Sequence, residues 1–176
     1  MTGQAMKKTV LIDREIRRML DASPPLLEGI RDVATQIQQC GVDLTVRTVS
    51  RFVSGGAMGY DNADRVLAST TPLPWSDGWA ELPVGPYLIV YNEQVNLPDD
   101  VMALAYPRSS LMRCGVTIYS AVWDPGYSGR AEALLVVHNP RGFRLKQGAR
   151  VVQLVFTRLS SPVVDRYEGS FLKENI

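Results

Sequence analysis

The chain has 176 residues, 45% of them hydrophobic, which suits one domain with a sizeable core and excludes a disordered chain. Nineteen basic residues against eighteen acidic ones leave a formal charge of +1, so no whole-molecule field would draw in nucleic acid or an acidic membrane surface. Cys40 and Cys114 fit no metal-ligand spacing, and apolar runs such as 133–137 are far too short to span a bilayer; a soluble, cytoplasmic protein with reduced thiols is expected.

Residues 1–5 read as a loose leader, with Met6 an equally good internal start. Asp13 is placed to cap a short helix in which Ile16, Met19 and Leu20 recur at helical spacing until Ser23-Pro24-Pro25 stops it. Residues 28–38 form a second helix candidate whose apolar spacing is poor. From there on the signals are short strands, expected at 43–53, 87–91, 101–106, 116–122, 130–138 and 150–158. Turn residues punctuate them, among them Pro98-Asp99-Asp100, Asp124-Pro125-Gly126 and Asn139-Pro140-Arg141-Gly142. Residues 54–79, rich in Gly, Ser, Thr, Pro and Asp, read as an insertion or long loop, and 160–176 as a C-terminal tail. The expected fold is therefore mainly β, a distorted jelly-roll or barrel in a single domain, with a helical segment confined to residues 1–40.

Two stretches carry chemistry. Arg108-Ser109-Ser110-Leu111-Met112-Arg113 places two guanidinium forks and two hydroxyls in one turn, a donor set matched to phosphate oxygens; the plain alternative is a solvated surface turn. Asp124, before Pro125-Gly126, sits where a strand gives way to a tight turn. A carboxylate there can orient and deprotonate a water beside a bound phosphate, or it can simply satisfy turn amides.

Order and spacing together resemble the superfamily of dUTP diphosphatases (dUTPases) and dCTP deaminases. Arg108 to Gly115 resembles its phosphate motif, Arg-Ser-Ser-Leu-x-Arg-x-Gly, and Asp124-Pro125-Gly126-Tyr127-Ser128-Gly129 its next motif. Gly41-Val42-Asp43-Leu44 resembles the first motif of the deaminase branch, although Gly59-Tyr60-Asp61 is a competing match. Gly148 to Phe156 resembles the later motif in which a glutamine, here Gln153, contacts phosphates, and Tyr167 falls where a nucleotide-binding tyrosine is found.

The resemblance implies a dUTPase-type jelly roll that assembles as a homotrimer with sites between subunits. It implies that Arg108, Ser109, Ser110, Leu111 and Arg113 bind the triphosphate and that Asp124 lies beside the deoxyribose and the attacking water. The backbone of Ala131, Glu132, Ala133 and Leu134 would read the base, Gln153 and Tyr167 would complete the site, and Asp43, Phe171 and Lys173 are further candidates. Mg²⁺ would be held by substrate phosphates with no dedicated metal cluster. In the deaminase branch a glutamate stands ten residues beyond the motif aspartate; here that position is Leu134, which cannot transfer a proton. The implied activity is hydrolysis of dUTP to dUMP and pyrophosphate, with neither nucleic acid nor membrane as a partner. Two alternatives stay open: dCTP deamination, alone or combined with diphosphatase activity, and a non-catalytic nucleotide sensor. Glu132 could serve deamination only if a bulge shifted it. His138 matches no motif position. The segment 117–123 is about two residues shorter than the family's base-selecting hairpin.

Overall fold

The computed structural model describes residues 9–176, so the expected leader and Met6 lie outside the described residues. Helix α1 (Asp13–Leu20) buries Ile16 completely and is tied to the barrel just upstream, where the Leu11 amide donates to the Phe156 carbonyl at 3.0 Å. Asp13 is not its cap. The N-cap is Ile12, whose N–H donates to Oε2 of Glu15 at 3.2 Å, and Asp13 is the first helical residue, where its charge complements the helix dipole instead.

The second expected helix shrinks to one turn. Strand β1 (Leu27–Glu28) precedes helix α2 (Val33–Gln36), and strand β2 (Ile37–Gln38) follows at once. Gly29, at φ +78°, breaks the run from the front, and Asp32 caps α2 by accepting from the Ala34 amide at 2.9 Å. Gln36 is needed elsewhere: its side chain donates to Glu93 at 2.7 Å and to the Asp43 carbonyl at 2.9 Å, both inside the protein. Glu93 is fully buried and also accepts from the amide and hydroxyl of Thr45, at 2.9 and 2.7 Å. A buried carboxylate with this many donors locks the N-terminal segment onto the barrel wall.

The remaining strands are β3 (Gly41–Phe52), β4 (Thr70–Pro72), β5 (Trp79–Leu82), β6 (Gly85–Tyr91), β7 (Gln94–Asn96) and β8 (Val101–Pro107). After the short helix α3 (Ser109–Arg113) come β9 (Val116–Tyr119), β10 (Ser128–Gly129), β11 (Glu132–Val137), β12 (Phe143–Lys146) and β13 (Arg150–Arg158). All six expected strands are present. The one expected at 116–122 stops at Tyr119, and the one expected at 130–138 is trimmed to β11.

The main sheet runs β8-β13-β3-β6-β11-β9, every pairing antiparallel. A bridge from Ala103 on β8 to Trp123, beyond β9, with both hydrogen bonds at 3.0 Å, nearly closes it into a barrel. Alternation explains the core: Tyr87, Ile89 and Tyr91 of β6 and Ala133, Leu135 and Val137 of β11 point inward. Two small sheets, β1-β7-β10 and β12-β5, cover its flanks. The 54–79 segment is not one loop. It carries a 3-10 turn at Asn62–Asp64, a bridge between Ala57 and Val66, and β4, which pairs with the end of β3.

Candidate functional site

The candidate residues fall into two groups on the chain. The first is cationic and forms around Asp43, whose side chain is only 3% exposed. Arg108 Nε lies 3.3 Å and Arg150 Nη1 3.1 Å from the same Asp43 oxygen, Oδ2. Both arginine side chains remain about one-third exposed, at 33% and 30%, and Arg150 Nη1 also donates to the Thr35 carbonyl at 2.8 Å, so one buried negative charge holds two arginines at the surface. Burial lifts the Asp43 carboxyl above its ordinary value, and the two arginines oppose that shift.

Strand geometry assembles this group. Gln153 of β13 sits opposite Asp43 on one side and Tyr106 on the other. Arg108 follows β8 directly, with its amide on the Val151 carbonyl at 3.0 Å, and α3 then presents Ser109, Ser110 and Arg113 on the surface while Leu111 is buried. Arg150 has no place on the Gln153 face in a period-two reading, because the two lie three positions apart. A register shift between Arg150 and Val152 supplies the extra residue, leaves Val151 and Val152 both buried, and turns Arg150 to the Asp43 side.

The second group lines a cavity of about 330 Å³ at the other motif. Asp124 and Glu132 are exposed at its wall, Ala131 and Tyr127 are buried in it, and Tyr167 and Phe171 come to it from the tail. Phe52, Leu88 and the 120–123 turn complete the barrel side. The ring of Trp123 meets Tyr127 edge-on at 5.5 Å, and Tyr127 meets Tyr167 edge-on at 5.8 Å, giving the cavity a stiff aromatic floor. Arg108, Ser109, Ser110, Leu111, Arg113, Ala133, Leu134, Gln153 and Lys173 do not line it. Leu134 stands in register between Leu88 and Tyr119, and β11 pairs with β6 without a register shift from Glu132 to Val137. No bulge therefore moves Glu132 into the Leu134 position.

The tail approaches through two motif glycines. At Gly126, φ is +85° and a Cβ would lie 2.7 Å from Cβ of Arg166; at Gly129 it would lie 3.2 Å from the Glu174 amide nitrogen. Side chains there would hold the tail away. With glycine, the Tyr167 amide reaches the Pro125 carbonyl at 2.9 Å and the Lys173 amide the Ser128 carbonyl at 2.7 Å. Glu174 then enters the cavity, half-buried, and accepts from the Tyr127 hydroxyl at 2.7 Å. Burial, followed by the carboxylate partner, pushes the Tyr127 hydroxyl well above the ordinary tyrosine range; burial likewise raises Glu174, with the Tyr127 hydrogen bond opposing and the Glu132 charge adding.

Residues 10–159 match the family model described as dCTP deaminase-like. The chain belongs to that family. A protein of Methanosarcina mazei named probable deoxyuridine 5'-triphosphate nucleotidohydrolase is 46% identical over 167 residues, covering 94% of this chain and 98% of its own. The Methanocaldococcus jannaschii protein named deoxyuridine 5'-triphosphate nucleotidohydrolase is 39% identical over 138 residues, covering 77% of this chain and 86% of its own. Among solved structures, the 2'-deoxycytidine 5'-triphosphate deaminase of Agrobacterium tumefaciens superposes with a TM-score of 0.63 at 23% identity, over 86% of this chain and 49% of that one, and so shares the fold.

Sequence reasoning passed over Arg150, Tyr127, Glu174, Leu67 and Ala68. Tyr127 stood inside a recognised motif and could have been assigned. Arg150 was hidden by the register shift, and Glu174 by a tail without periodicity. Leu67 and Ala68 line the cavity from the 54–79 segment, where nothing in the composition distinguished them.

Proposed function

We propose that this chain is a dUTP diphosphatase that hydrolyses dUTP to dUMP and pyrophosphate with Mg²⁺. The observation that carries the reading is a base-sized cavity with aromatic walls and an exposed carboxylate, Asp124, at its edge, in a chain 46% identical to a protein named for this activity. The pyrimidine sits among Ala131, Tyr127 and Tyr167, with backbone groups of Ala131 and Glu132 reading its edge. Asp124 takes a proton from water as the water oxygen bonds to the α-phosphorus; the bond from that phosphorus to the bridging oxygen breaks, and pyrophosphate leaves. Arg108 offsets charge on the phosphates, with Ser109, Ser110, Arg113 and Gln153 as further donors.

The cavity lining contains Asp124, Glu132 and Glu174 and no Lys or Arg, a poor host for a triphosphate by itself. The cationic group around Asp43 supplies what the cavity lacks. Joining one chain's cavity to another's arginines is a heterologous contact, which closes as a ring, and we propose the homotrimer. Tyr106, Met112, Tyr119 and Val122, all more than half exposed at 56%, 57%, 58% and 53%, give such a contact apolar area.

Among the described residues no three His, Cys, Asp or Glu side chains converge as metal ligands, so the donor set fits an ion held chiefly by phosphate oxygens, which would draw charge from the triphosphate. No helix among the described residues is long and apolar enough to cross a membrane, and a cytoplasmic setting is the natural one for this substrate.

The test is incubation with dUTP and Mg²⁺ followed by chromatography. Wild type should yield dUMP and pyrophosphate, and Asp124→Asn should lower kcat about 10²- to 10⁴-fold with folding intact. Undiminished turnover by Asp124→Asn removes Asp124 from the role. Because the matching family model is described as dCTP deaminase-like, dCTP deamination is the second reading, and release of dUTP or dUMP from dCTP would establish it.

A further inference from the structure

Residues 54–69 leave the barrel after β3 and return beside the tail. The Ala57–Val66 bridge pins this excursion with two hydrogen bonds of 2.9 Å, and the Ser54 hydroxyl closes its base by accepting from the Ser69 amide at 2.8 Å. Arg65, next to the bridge, is half-buried, while its neighbours Val66 and Leu67 are each 59% exposed. Its guanidinium reaches the tail in two ways. Nη2 donates to the Ser170 hydroxyl at 2.7 Å, and Cζ lies 5.2 Å from the centroid of the Phe171 ring. Phe171 lines the cavity, and so do Leu67 and Ala68, two and three positions beyond Arg65.

On its other side the tail is anchored to the barrel. The Arg130 amide donates to the Glu174 carbonyl at 3.0 Å, and the Asn175 side chain donates to the Arg130 carbonyl at 3.0 Å. These bonds hold residues 173–175 against the 128–130 strand and turn. The Phe171 ring, 37% exposed, lies outside these bonds. Arg65 meets it with a cation 5.2 Å from the ring centroid and a hydrogen bond one residue earlier, two contacts that restrain the position of the ring.

We propose that Arg65 is a positioning residue that seats Phe171 as one wall of the nucleotide cavity, making residues 54–69 a working part of the substrate site. The inference rests on the dUTP reading of that cavity. Arg65 touches no reacting atom, so its removal acts on substrate capture and not on the chemical step.

The test uses the full chain in its native assembly. Arg65→Ala should raise KM for dUTP about 2- to 10-fold with kcat nearly unchanged, and Arg65→Lys, which keeps a cation over the ring, should recover part of the loss. In a Phe171→Ala background Arg65→Ala should cost nothing more, because the ring it positions is gone. An unchanged KM, or a loss that adds in full to that of Phe171→Ala, overturns the proposal. Amide hydrogen exchange without ligand reads the contact independently: residues 170–172 should exchange faster in Arg65→Ala. If wild type turns over no dUTP while exchange still responds, the nucleotide reading has failed and the Arg65 contact has not; if turnover is normal and exchange is unmoved, the contact has failed alone.

Discussion

The Tyr127 hydroxyl donates a 2.7 Å hydrogen bond to Glu174, joining a residue of the Asp-Pro-Gly-Tyr turn to one of the tail, 47 residues on. Glu174 holds its proton more tightly when docked than when free, because burial, the largest influence, penalises the carboxylate and Glu132 repels it. A raised docked-state value means that this contribution to docking is fully present below about 4.5 and is lost as pH rises through the docked value. Carbon-13 NMR titration of the Glu174 carboxyl should give a midpoint above that of Glu in a free peptide. A midpoint at or below the peptide value would contradict this account of the cavity.

Asp43→Asn should damage both stability and binding. The substitution leaves two adjacent guanidinium groups with a neutral partner, and their partial exposure keeps the loss below that of a fully buried pair, at about 1–3 kcal/mol. Thermal unfolding at fixed protein concentration should show a Tm lower by roughly 3–10 °C. KM for dUTP should rise about tenfold, since Arg108 is no longer held toward the phosphates. A variant with wild-type Tm and KM would show that Asp43 organises neither arginine.

Much of this was legible in the chain before any coordinates. Short apolar runs bounded by turn residues marked β6, β11 and β13, and Asp124 was found because Pro-Gly after an acid is a strong turn signal. What escaped was set by tertiary contacts. The register shift beside Arg150 depends on pairing with β3, and the single turn of α2 depends on Gln36 reaching Glu93, 57 residues away. The docking of Glu174 depends on Gly126 and Gly129, whose role becomes visible only when the tail is seen to pass over them.

Tyr91→Phe should be neutral or stabilising. The Tyr91 side chain is buried, and its hydroxyl has no hydrogen-bond partner among the described residues. Its ring packs 6.1 Å from that of Trp123, a contact that phenylalanine retains. An unpartnered buried hydroxyl costs about 1–3 kcal/mol, so chemical denaturation should show equal or greater stability for the variant. A loss beyond about 1 kcal/mol would mean that the hydroxyl is satisfied in solution, by water or by a neighbouring subunit.

Gly126→Ala separates the tail from the barrel without replacing any of the three acids in the cavity. The residue sits at φ +85°, where a Cβ is strained, and that Cβ would meet Arg166 at 2.7 Å and the Tyr167 amide nitrogen at 3.1 Å. Cβ of Arg166 is fixed to its backbone and cannot yield as the tip of a flexible side chain would, so the tail must move and the hydrogen bond from Tyr167 to Pro125 lengthens. The strain alone should cost about 1–2 kcal/mol of stability. Its larger effect should be on KM for dUTP, because Tyr167, Phe171 and Glu174 all reach the cavity through this crossing. Steady-state kinetics beside hydrogen exchange of residues 166–175 would check both parts; fast exchange with unchanged KM would place the tail outside the substrate site.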